Sequence, residues 1–237
     1  PTLKLRITLI TVTDEKGKTS GFIKIIEDRT REKGIIESKK EFVSVAAHEL
    51  RTPLTGIHWA FESLLKNGGG KENKEILREG LKLSERALKI INDLLDVAKI
   101  EEGKYGYNFE ETDLDDLIKK VLNELSPIVK ELGLKTNYSP GGKYLLSIDR
   151  ERIGIVLWNL VDNALRYNSK GGNVTVDVEA LKDKPFVRVG VKDTGVGIPK
   201  EGLQKLFTKF YRGENVLEIE PNGSGLGLYI AKNIVER

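Results

Sequence analysis

The spacing of apolar residues changes along the chain and predicts different elements in each region. Apolar and polar positions alternate in residues 1–28, as at Leu5, Ile7 and Leu9. A second such run contains Phe22, Ile23 and Ile25, and Asp14–Gly17 lies between the two runs. Two period-2 runs around a glycine-bearing turn predict a β-hairpin. Because two strands cannot build a core alone, we expect the hairpin to be the end of a larger sheet domain.

Residues 29–102 follow steps of three and four, which predict two amphipathic helices. The first stripe contains Val43, Ala46, Leu50, Pro53, Ile57, Ala60, Phe61 and Leu64, and the second contains Leu77, Leu81, Ser84, Leu88, Ile91, Leu95 and Ala98. The run Asn67–Gly70 separates the helices, and Gly103 ends the second. Such a pair forms an antiparallel hairpin with one exposed apolar seam. Two copies forming a four-helix bundle would bury that seam, so we expect a homodimer.

From about residue 109 the pattern becomes mixed α/β. Asp113 can cap a helix that runs to about Leu132, and a second helix is predicted at Ile153–Tyr167. Short apolar runs predict strands at Leu134–Tyr138, Tyr144–Ile148, Val174–Ala180 and Phe186–Val191. Residues 193–225 are rich in glycine and predict loops, followed by a helix from Gly225. The fold class predicted is therefore α+β and multidomain.

Composition narrows the possible classes of protein. The 237 residues are 32% charged and 39% apolar, which excludes wholesale disorder. The net charge of +3 gives no reason to expect nucleic acid or an anionic membrane as a partner. Cysteine is absent, which excludes disulfides, a thiol nucleophile and a thiolate zinc site.

The chain also carries no recognisable membrane or export signal. No apolar run approaches the roughly 18 residues that span a bilayer, and there is neither a signal segment nor a starting Met. We therefore expect a cytoplasmic piece of a longer protein without membrane contact. Abundant Lys and Glu with a single Gln are typical of a thermophile.

The first chemical signal is a histidine on the outer face of the first predicted helix. His48 is two residues from Ala46 and from Leu50, a rotation of about 200°, so it points away from the seam. Thr52 shares this outer face, and Glu49 flanks it. A neutral imidazole can attack a phosphoryl group while a carboxylate orients the ring. The alternative is a solvated surface histidine, although a mid-helix proline one turn on suggests that local shape matters there.

Asn159, Asn163, Arg166 and Tyr167 form a second signal, because their spacing puts them on one face of a helix. Amide oxygens suit Mg²⁺, an arginine can meet phosphate, and a tyrosine ring can flank a base. The alternative is a polar surface helix, but asparagine is a poor helix former in mid-helix.

Two glycine-rich segments follow. Asp193 ends a predicted strand and precedes Gly195 and Gly197, so its carboxylate can accept from an amine such as that of adenine. The run Gly223, Gly225, Leu226 and Gly227 opens the last helix, where free N–H groups suit phosphate. Each segment alone is weak evidence. A Walker-type phosphate loop is absent.

The run Phe42–Thr55 resembles the phosphoacceptor motif of sensor histidine kinases. The resemblance implies that His48 is autophosphorylated, that Glu49 assists as general base and that Thr52 positions water for hydrolysis of a phospho-aspartate. It further implies a dimerisation and phosphotransfer domain at 29–102 and an ATP-binding domain at 103–237. Residues 1–28 resemble the closing strands of a PAS sensor domain.

Residues 159–227 resemble the N, G1, F and G2 boxes of the histidine-kinase ATP domain, with Leu206–Arg212 as the F box. This implies the two-layer α/β sandwich of gyrase-type and Hsp90-type ATPases. The implied nucleotide contacts are Asn163 on Mg²⁺, Asn159 near the phosphates, Tyr167 packed on the nucleotide, Asp193 on adenine, Gly223–Gly227 on the phosphates, and Arg212 from a lid at about 200–224. Arg166 stands where the family often has lysine. The family's closing strands are missing after Arg237, so we expect the ATP domain to be incomplete.

The function implied is Mg-ATP-dependent autophosphorylation of His48, with transfer to an aspartate of a response regulator. Phosphatase activity on that regulator is a further possibility. One alternative is an ATPase of the gyrase and Hsp90 type with a helical arm, for which Asp162 is the only nearby candidate to activate water. The other is a dimeric scaffold without catalysis.

Overall fold

The computed structural model describes residues 3–13, 19–67, 71–217, 219–220 and 223–237. The chain divides into two compact units, Pro1–Ser84 and Glu85–Arg237, with the division inside the second long helix.

The first unit begins with an antiparallel β-hairpin. β1 (Leu5–Thr13) pairs with β2 (Thr19–Asp28), with Ile7 opposite Ile26 and Ile10 opposite Ile23. The predicted hairpin is confirmed, while the predicted turn at Asp14–Gly17 lies outside the described residues. The large apolar side chains described on both strands are exposed, as expected for a two-stranded sheet that has no second layer.

Two long helices follow. α1 (Thr30–Asn67) continues through Pro53, and α2 (Lys71–Glu101) ends as predicted at Gly103. Gly103 has φ 67°, a left-handed conformation that glycine adopts without strain. The Gly103 and Lys104 N–H groups donate to the carbonyls of Ile100 and Lys99, which satisfies the end of the helix. The predicted glycine break at 68–70 lies outside the described residues.

The apolar stripe predicted on α2 is exposed to solvent. Its large members are all exposed, namely Leu77, Leu81, Leu88, Ile91 and Leu95. A neighbouring stripe is buried instead, with Ala87, Ile90, Val97 and Ile100. α2 therefore has two apolar stripes, and the sequence analysis identified only the one that the single chain leaves uncovered.

The second unit adds an α/β domain to the end of α2. Its elements are β3 (Glu110–Asp113), α3 (Leu114–Leu132), β4 (Lys135–Ser139), β5 (Leu145–Ile148), α4 (Arg150–Arg166), β6 (Asn173–Ala180), β7 (Val187–Asp193) and α5 (Gly227–Val235). β4 pairs parallel with β6, β6 pairs antiparallel with β7, and β3 pairs antiparallel with β5. The predicted helices and strands are all present with small shifts at their ends.

Helices α3 and α4 form one layer and the three-stranded sheet forms the other. Leu117, Val121 and Leu125 of α3 meet Leu157, Val161 and Leu165 of α4 and the buried face of β6 in a single core. Asp113 caps α3 as predicted, because its carboxylate accepts the N–H of Asp115 at 3.0 Å. β3 was not predicted, since its sequence Glu-Glu-Thr-Asp has no apolar residue, and only its pairing with β5 makes it a strand.

Within the described part of the chain, none of the helices combines the length and the apolar character needed to cross a bilayer.

Candidate functional site

His48 lies on the open face of α1 in the first unit. Its side chain is 74% exposed, and its Nδ1 is 3.9 Å from Oε1 of Glu49. Thr52 is also exposed, and its hydroxyl donates to the His48 carbonyl at 3.4 Å. The predicted solvent-facing orientation of His48 is confirmed, and all three predicted residues lie on one stretch of helix.

The opposite side of the same turn anchors the helix. Ala46 and Pro53 are buried. Because proline has no N–H, Pro53 cannot donate the helical hydrogen bond to the Glu49 carbonyl. A second histidine on α1, His58, is exposed.

In the second unit, the predicted face of α4 carries two amides without a hydrogen-bonding partner among the described residues. Asn159 is 9% exposed and Asn163 is half-buried. α4 is fixed at its start by Asp149, whose carboxylate accepts the Arg152 N–H at 2.9 Å. Buried amides that are not bonded to the protein are available to a ligand.

The Asp193 turn lies against the end of α4. The carboxylate of Asp193 accepts the Gly195 N–H at 2.8 Å, and the Val196 N–H donates to the Tyr167 carbonyl at 3.1 Å. A side chain at Gly195 would collide with that same carbonyl, so only glycine fits. Gly197 follows with φ 68°. One carboxylate oxygen of Asp193 therefore shapes the turn, and the exposed side chain retains further acceptor capacity.

The glycine-rich segment packs against both the F box and α4. Gly225 has φ 68°, and a Cβ there would lie 2.7 Å from the backbone of Phe210. A Cβ on Gly227 would lie 2.5 Å from Oδ1 of Asn159. Leu226 is fully buried between these glycines and precedes α5, which has no side-chain cap at its first turn. The Leu226 N–H donates to the Ser224 hydroxyl at 3.3 Å, and the N–H groups of the first turn of α5 that follow are suited to an anion.

The predicted cationic residues are both engaged by carboxylates or carbonyls. Arg166 donates from Nε to Asp162 at 2.8 Å and from Nη1 to Glu220 at 3.2 Å. Arg212 donates from Nη2 to the carbonyl of Glu220, and its side chain also bonds to the Tyr167 hydroxyl. Burial raises the pKa of Tyr167, which keeps its hydroxyl neutral.

These contacts bring the three predicted segments together. Tyr167 touches the Asp193 turn through its carbonyl, and its hydroxyl lies next to Gly223. Asn159 touches Gly227. The amide face, the carboxylate turn and the glycine-rich segment therefore surround one region of the domain.

The sequence analysis missed the polar contacts between the end of α2 and the α/β domain. Lys89 pairs with Asp162 at 3.3 Å, and the Ser224 hydroxyl donates to Asp93 at 3.1 Å. Further along α2, Asp96 lies 4.0 Å from Arg152, and Glu101 pairs with Lys209. No sequence signal identifies these pairs, because charged residues on a helix usually form a solvated face.

The fold and these contacts define an ATPase-like α/β domain, on a chain that also contains a helical hairpin with an exposed histidine. Residues 148–237 match the family described as histidine kinase-, DNA gyrase B- and HSP90-like ATPase, and residues 38–103 match the His Kinase A phospho-acceptor domain. The chain belongs to the sensor histidine kinase family. The predicted boundaries at 28 and 102, and the PAS origin of the hairpin, stay predictions.

Relatives of known name agree with this family. The sensor histidine kinase WalK of Bacillus subtilis is 32% identical over 236 residues, which are 98% of this chain and 38% of WalK. The histidine kinase AdeS of Acinetobacter baumannii has a TM-score of 0.63 at 26% identity, covering 80% of this chain and 86% of AdeS.

A second solved structure, histidine kinase ThkA in complex with response regulator TrrA, has a TM-score of 0.57 at 24% identity. It covers 93% of this chain and 68% of ThkA, and at that identity the likeness concerns the fold. The chain spans less than half the length of WalK.

Proposed function

We propose that this chain is the transmitter part of a sensor histidine kinase, which uses Mg-ATP to phosphorylate His48 and passes the phosphoryl group to an aspartate of a response regulator. The observation that carries the proposal is the exposed His48 beside Glu49, on a chain that also holds an ATPase-like domain. Since the reaction consumes ATP, we propose that it takes place in the cytoplasm.

The arrangement at His48 suggests which nitrogen reacts. Nδ1 faces the carboxylate of Glu49, so Nε2 is the nitrogen left to solvent. In the reaction Nε2 attacks the γ-phosphorus in line, the N–P bond forms, and the bond to the β–γ bridging oxygen breaks to release ADP. Glu49 takes the proton from Nδ1 as the ring becomes cationic. The separation of 3.9 Å is longer than a hydrogen bond, and such contacts commonly tighten when substrate binds.

Each side chain of the nucleotide region has a role that its chemistry supports. Asp193 accepts from the amino group of adenine, and Tyr167 packs against the nucleotide. Gly223, Gly225, Leu226 and Gly227 present backbone N–H groups to the phosphates. The missing side chains of Gly225 and Gly227 keep open the space beside Phe210 and Asn159. Gly197 gives the Asp193 turn its left-handed residue.

The residues present also fit Mg²⁺. Asn163 offers an amide oxygen that no described residue engages, and Asn159 lies one turn earlier beside Gly227. Mg²⁺ typically takes one or two protein oxygens together with phosphate oxygens and water. When bound, it offsets the charge of the phosphates, while Arg166 and Arg212 supply further positive charge.

The acceptor of the phosphoryl group is proposed to be the receiver domain of a response regulator. His48 is open to a protein partner, and ThkA, which shares this fold, was solved with a response regulator. Thr52 lies one turn from His48 on the same exposed face. A hydroxyl there can orient water toward a phospho-aspartate, which supports the further proposal of phosphatase activity.

The exposed apolar stripe of α2 supports a homodimer through the helical hairpin. Five large apolar side chains on one face of a soluble helix form a patch that a second copy would cover, giving a four-helix bundle. Sedimentation equilibrium of the chain tests this, and a monomer at micromolar concentration would contradict it.

The alternative ATPase is disfavoured by the surroundings of Asp162. This carboxylate is buried and already paired with both Lys89 and Arg166. Lys89 donates to Oδ2 and Arg166 donates to Oδ1, so both oxygens that would have to take a proton from water are already engaged. A scaffold without catalysis would not account for the unengaged amides of Asn159 and Asn163 or for the glycine turns.

A pre-steady-state measurement of ADP release distinguishes the kinase from the ATPase. The kinase predicts a burst of about one ADP per chain in the wild-type protein, because each chain carries one acceptor histidine. The burst should disappear in His48→Gln and persist in His58→Gln, which changes the other exposed histidine of α1. Sustained ADP release at an equal rate in His48→Gln would support the ATPase and refute the proposal.

A further inference from the structure

Glu220 connects the two arginines of the nucleotide region. Its carboxylate Oε2 accepts from Nη1 of Arg166 at 3.2 Å, and its carbonyl accepts from Nη2 of Arg212. The Glu220 side chain is 18% exposed and the Arg166 side chain is 39% exposed, so this contact is partly open to water. A single residue therefore occupies donors on both of the cations that the proposed function assigns to phosphate.

The two carboxylates on Arg166 differ in how firmly they are held. Asp162 is buried, lies one turn away on the same helix, and is also paired with Lys89. Glu220 comes from the segment before the glycine-rich run and reaches Arg166 across 54 residues of sequence. Because Asp162 is fixed by its own helix and by a second cation, Glu220 is the partner that can be exchanged.

The position of Glu220 relative to the glycine-rich segment strengthens this argument. Gly223 lies three residues later, and a Cβ on it would be 3.2 Å from the Tyr167 hydroxyl and 3.5 Å from Nε of Arg212. The carboxylate therefore meets Arg166 beside the backbone assigned to phosphate. Carboxylate and phosphate oxygens use the same guanidinium donors, so a phosphate oxygen can take the Nη1 N–H that Glu220 holds only after Glu220 releases it.

We propose that Glu220 is an internal competitor for the nucleotide phosphates, an autoinhibitory contact that must leave Arg166 before the phosphates of ATP can bind there. This inference rests on the proposed function, since it takes Arg166 and Arg212 as phosphate contacts. In this proposal, Glu220 lowers the affinity of the domain for Mg-ATP.

Glu220→Gln tests the competition, because it removes the charge and keeps the size of the side chain. Calorimetric titration with Mg-ATP and with adenosine separates phosphate binding from base binding. Partly exposed ion pairs contribute up to about 1 kcal/mol, so we expect Mg-ATP to bind about three- to fivefold more tightly to the variant. Adenosine has no phosphate, and its affinity should be unchanged.

Glu214→Gln is the matched control, since Glu214 is exposed in the same segment and its loss changes the net charge equally. Glu214→Gln should change the affinity for Mg-ATP by less than half as much as Glu220→Gln does. The inference would be overturned if Glu220→Gln bound Mg-ATP as tightly as wild type or more weakly. It would also be overturned if the affinity for adenosine rose by the same factor as that for Mg-ATP. These outcomes would leave the proposed function standing. If neither protein binds Mg-ATP or adenosine, the proposed function fails as well.

Discussion

At the residue scale, Gly227 links the start of α5 to the amide face of α4. It is the first residue of α5, and its missing side chain leaves room for Oδ1 of Asn159. An added methyl group would lie 2.5 Å from this oxygen, closer than such atoms approach. The amide of Asn159 would have to turn away, while the backbone has no reason to move.

Gly227→Ala should therefore weaken Mg-ATP binding more than it weakens the fold. We expect the dissociation constant to rise about tenfold, a loss of about 1.4 kcal/mol, because Asn159 and the helix N-terminus no longer meet the phosphates correctly. Titration with Mg-ATP measures the change.

Gly154→Ala is the matched control for this substitution. Gly154 lies inside the same α4, and its added Cβ would make an ordinary contact at 3.7 Å with Leu117. We expect unchanged Mg-ATP affinity and a gain in stability of about 0.5–1 kcal/mol, since alanine favours a helix interior. Equal losses of affinity in the two variants would contradict the role given to Gly227.

Residue type and spacing identified the members of the nucleotide region, but not which of them already form hydrogen bonds or ion pairs within the protein. Asn163 and Asp193 could be proposed from the sequence, because an amide in mid-helix and an acid before two glycines are unusual in their settings. The pairing of Arg166 with Glu220 could not, since the two residues are 54 positions apart and only the fold brings them together.

At the scale of elements, helical periodicity located α2 but could not decide which of its stripes meets its own chain. Leu88, Ile91 and Leu95 repeat with the spacing of a core stripe and are nevertheless exposed. Ala87, Ile90 and Val97, displaced by one position or two, are buried. A helix with apolar residues on two faces fits a bundle that is completed by another copy, and periodicity alone does not assign either face to a partner.

The same helix carries a half-buried carboxyl, Asp93, that makes its packing sensitive to pH. Burial raises the pKa of Asp93 to about 6, against the lowering effects of Lys89 and of the Ser224 hydroxyl, while Asp96 adds to the rise. The folded protein thus holds a proton on Asp93 that the unfolded chain releases near pH 4. Its contribution to stability is greatest at low pH and is lost as the pH rises through about 6.

Asp93→Asn should imitate the protonated acid at every pH. We expect the variant to be more stable than wild type by about 1 kcal/mol at pH 7.5, and the difference to shrink as the pH falls and to vanish below about pH 4. Urea unfolding in a Trp59→Phe background measures this, because Trp158 on α4 then reports on the second unit alone.

Asp183→Asn provides the control for loss of an exposed carboxylate. Its effect on the free energy of unfolding should be small and similar at both pH values. A wild-type protein that gains stability relative to Asp93→Asn as the pH rises would contradict the buried state of Asp93.

At the scale of the whole molecule, the continuous helix α2 joins the hairpin that carries His48, the proposed acceptor, to an ATPase-like domain. Both parts could be predicted from the sequence, because His48 lies in a contiguous motif and the ATPase-like domain carries several short motifs in order along residues 159–227. The polar contacts between α2 and the α/β domain could not, since they join distant segments. The thermophilic origin suggested by the composition stays a prediction.

The most direct test of the account is the chemical identity of the phosphorylated residue. After incubation with γ-labelled ATP and Mg²⁺, the chain should carry label that is lost in acid and kept in base, as expected of an N–P bond. The label should be absent from His48→Gln and undiminished in His58→Gln. Label that survives acid, or that remains on His48→Gln, would contradict the claim that His48 accepts the phosphoryl group.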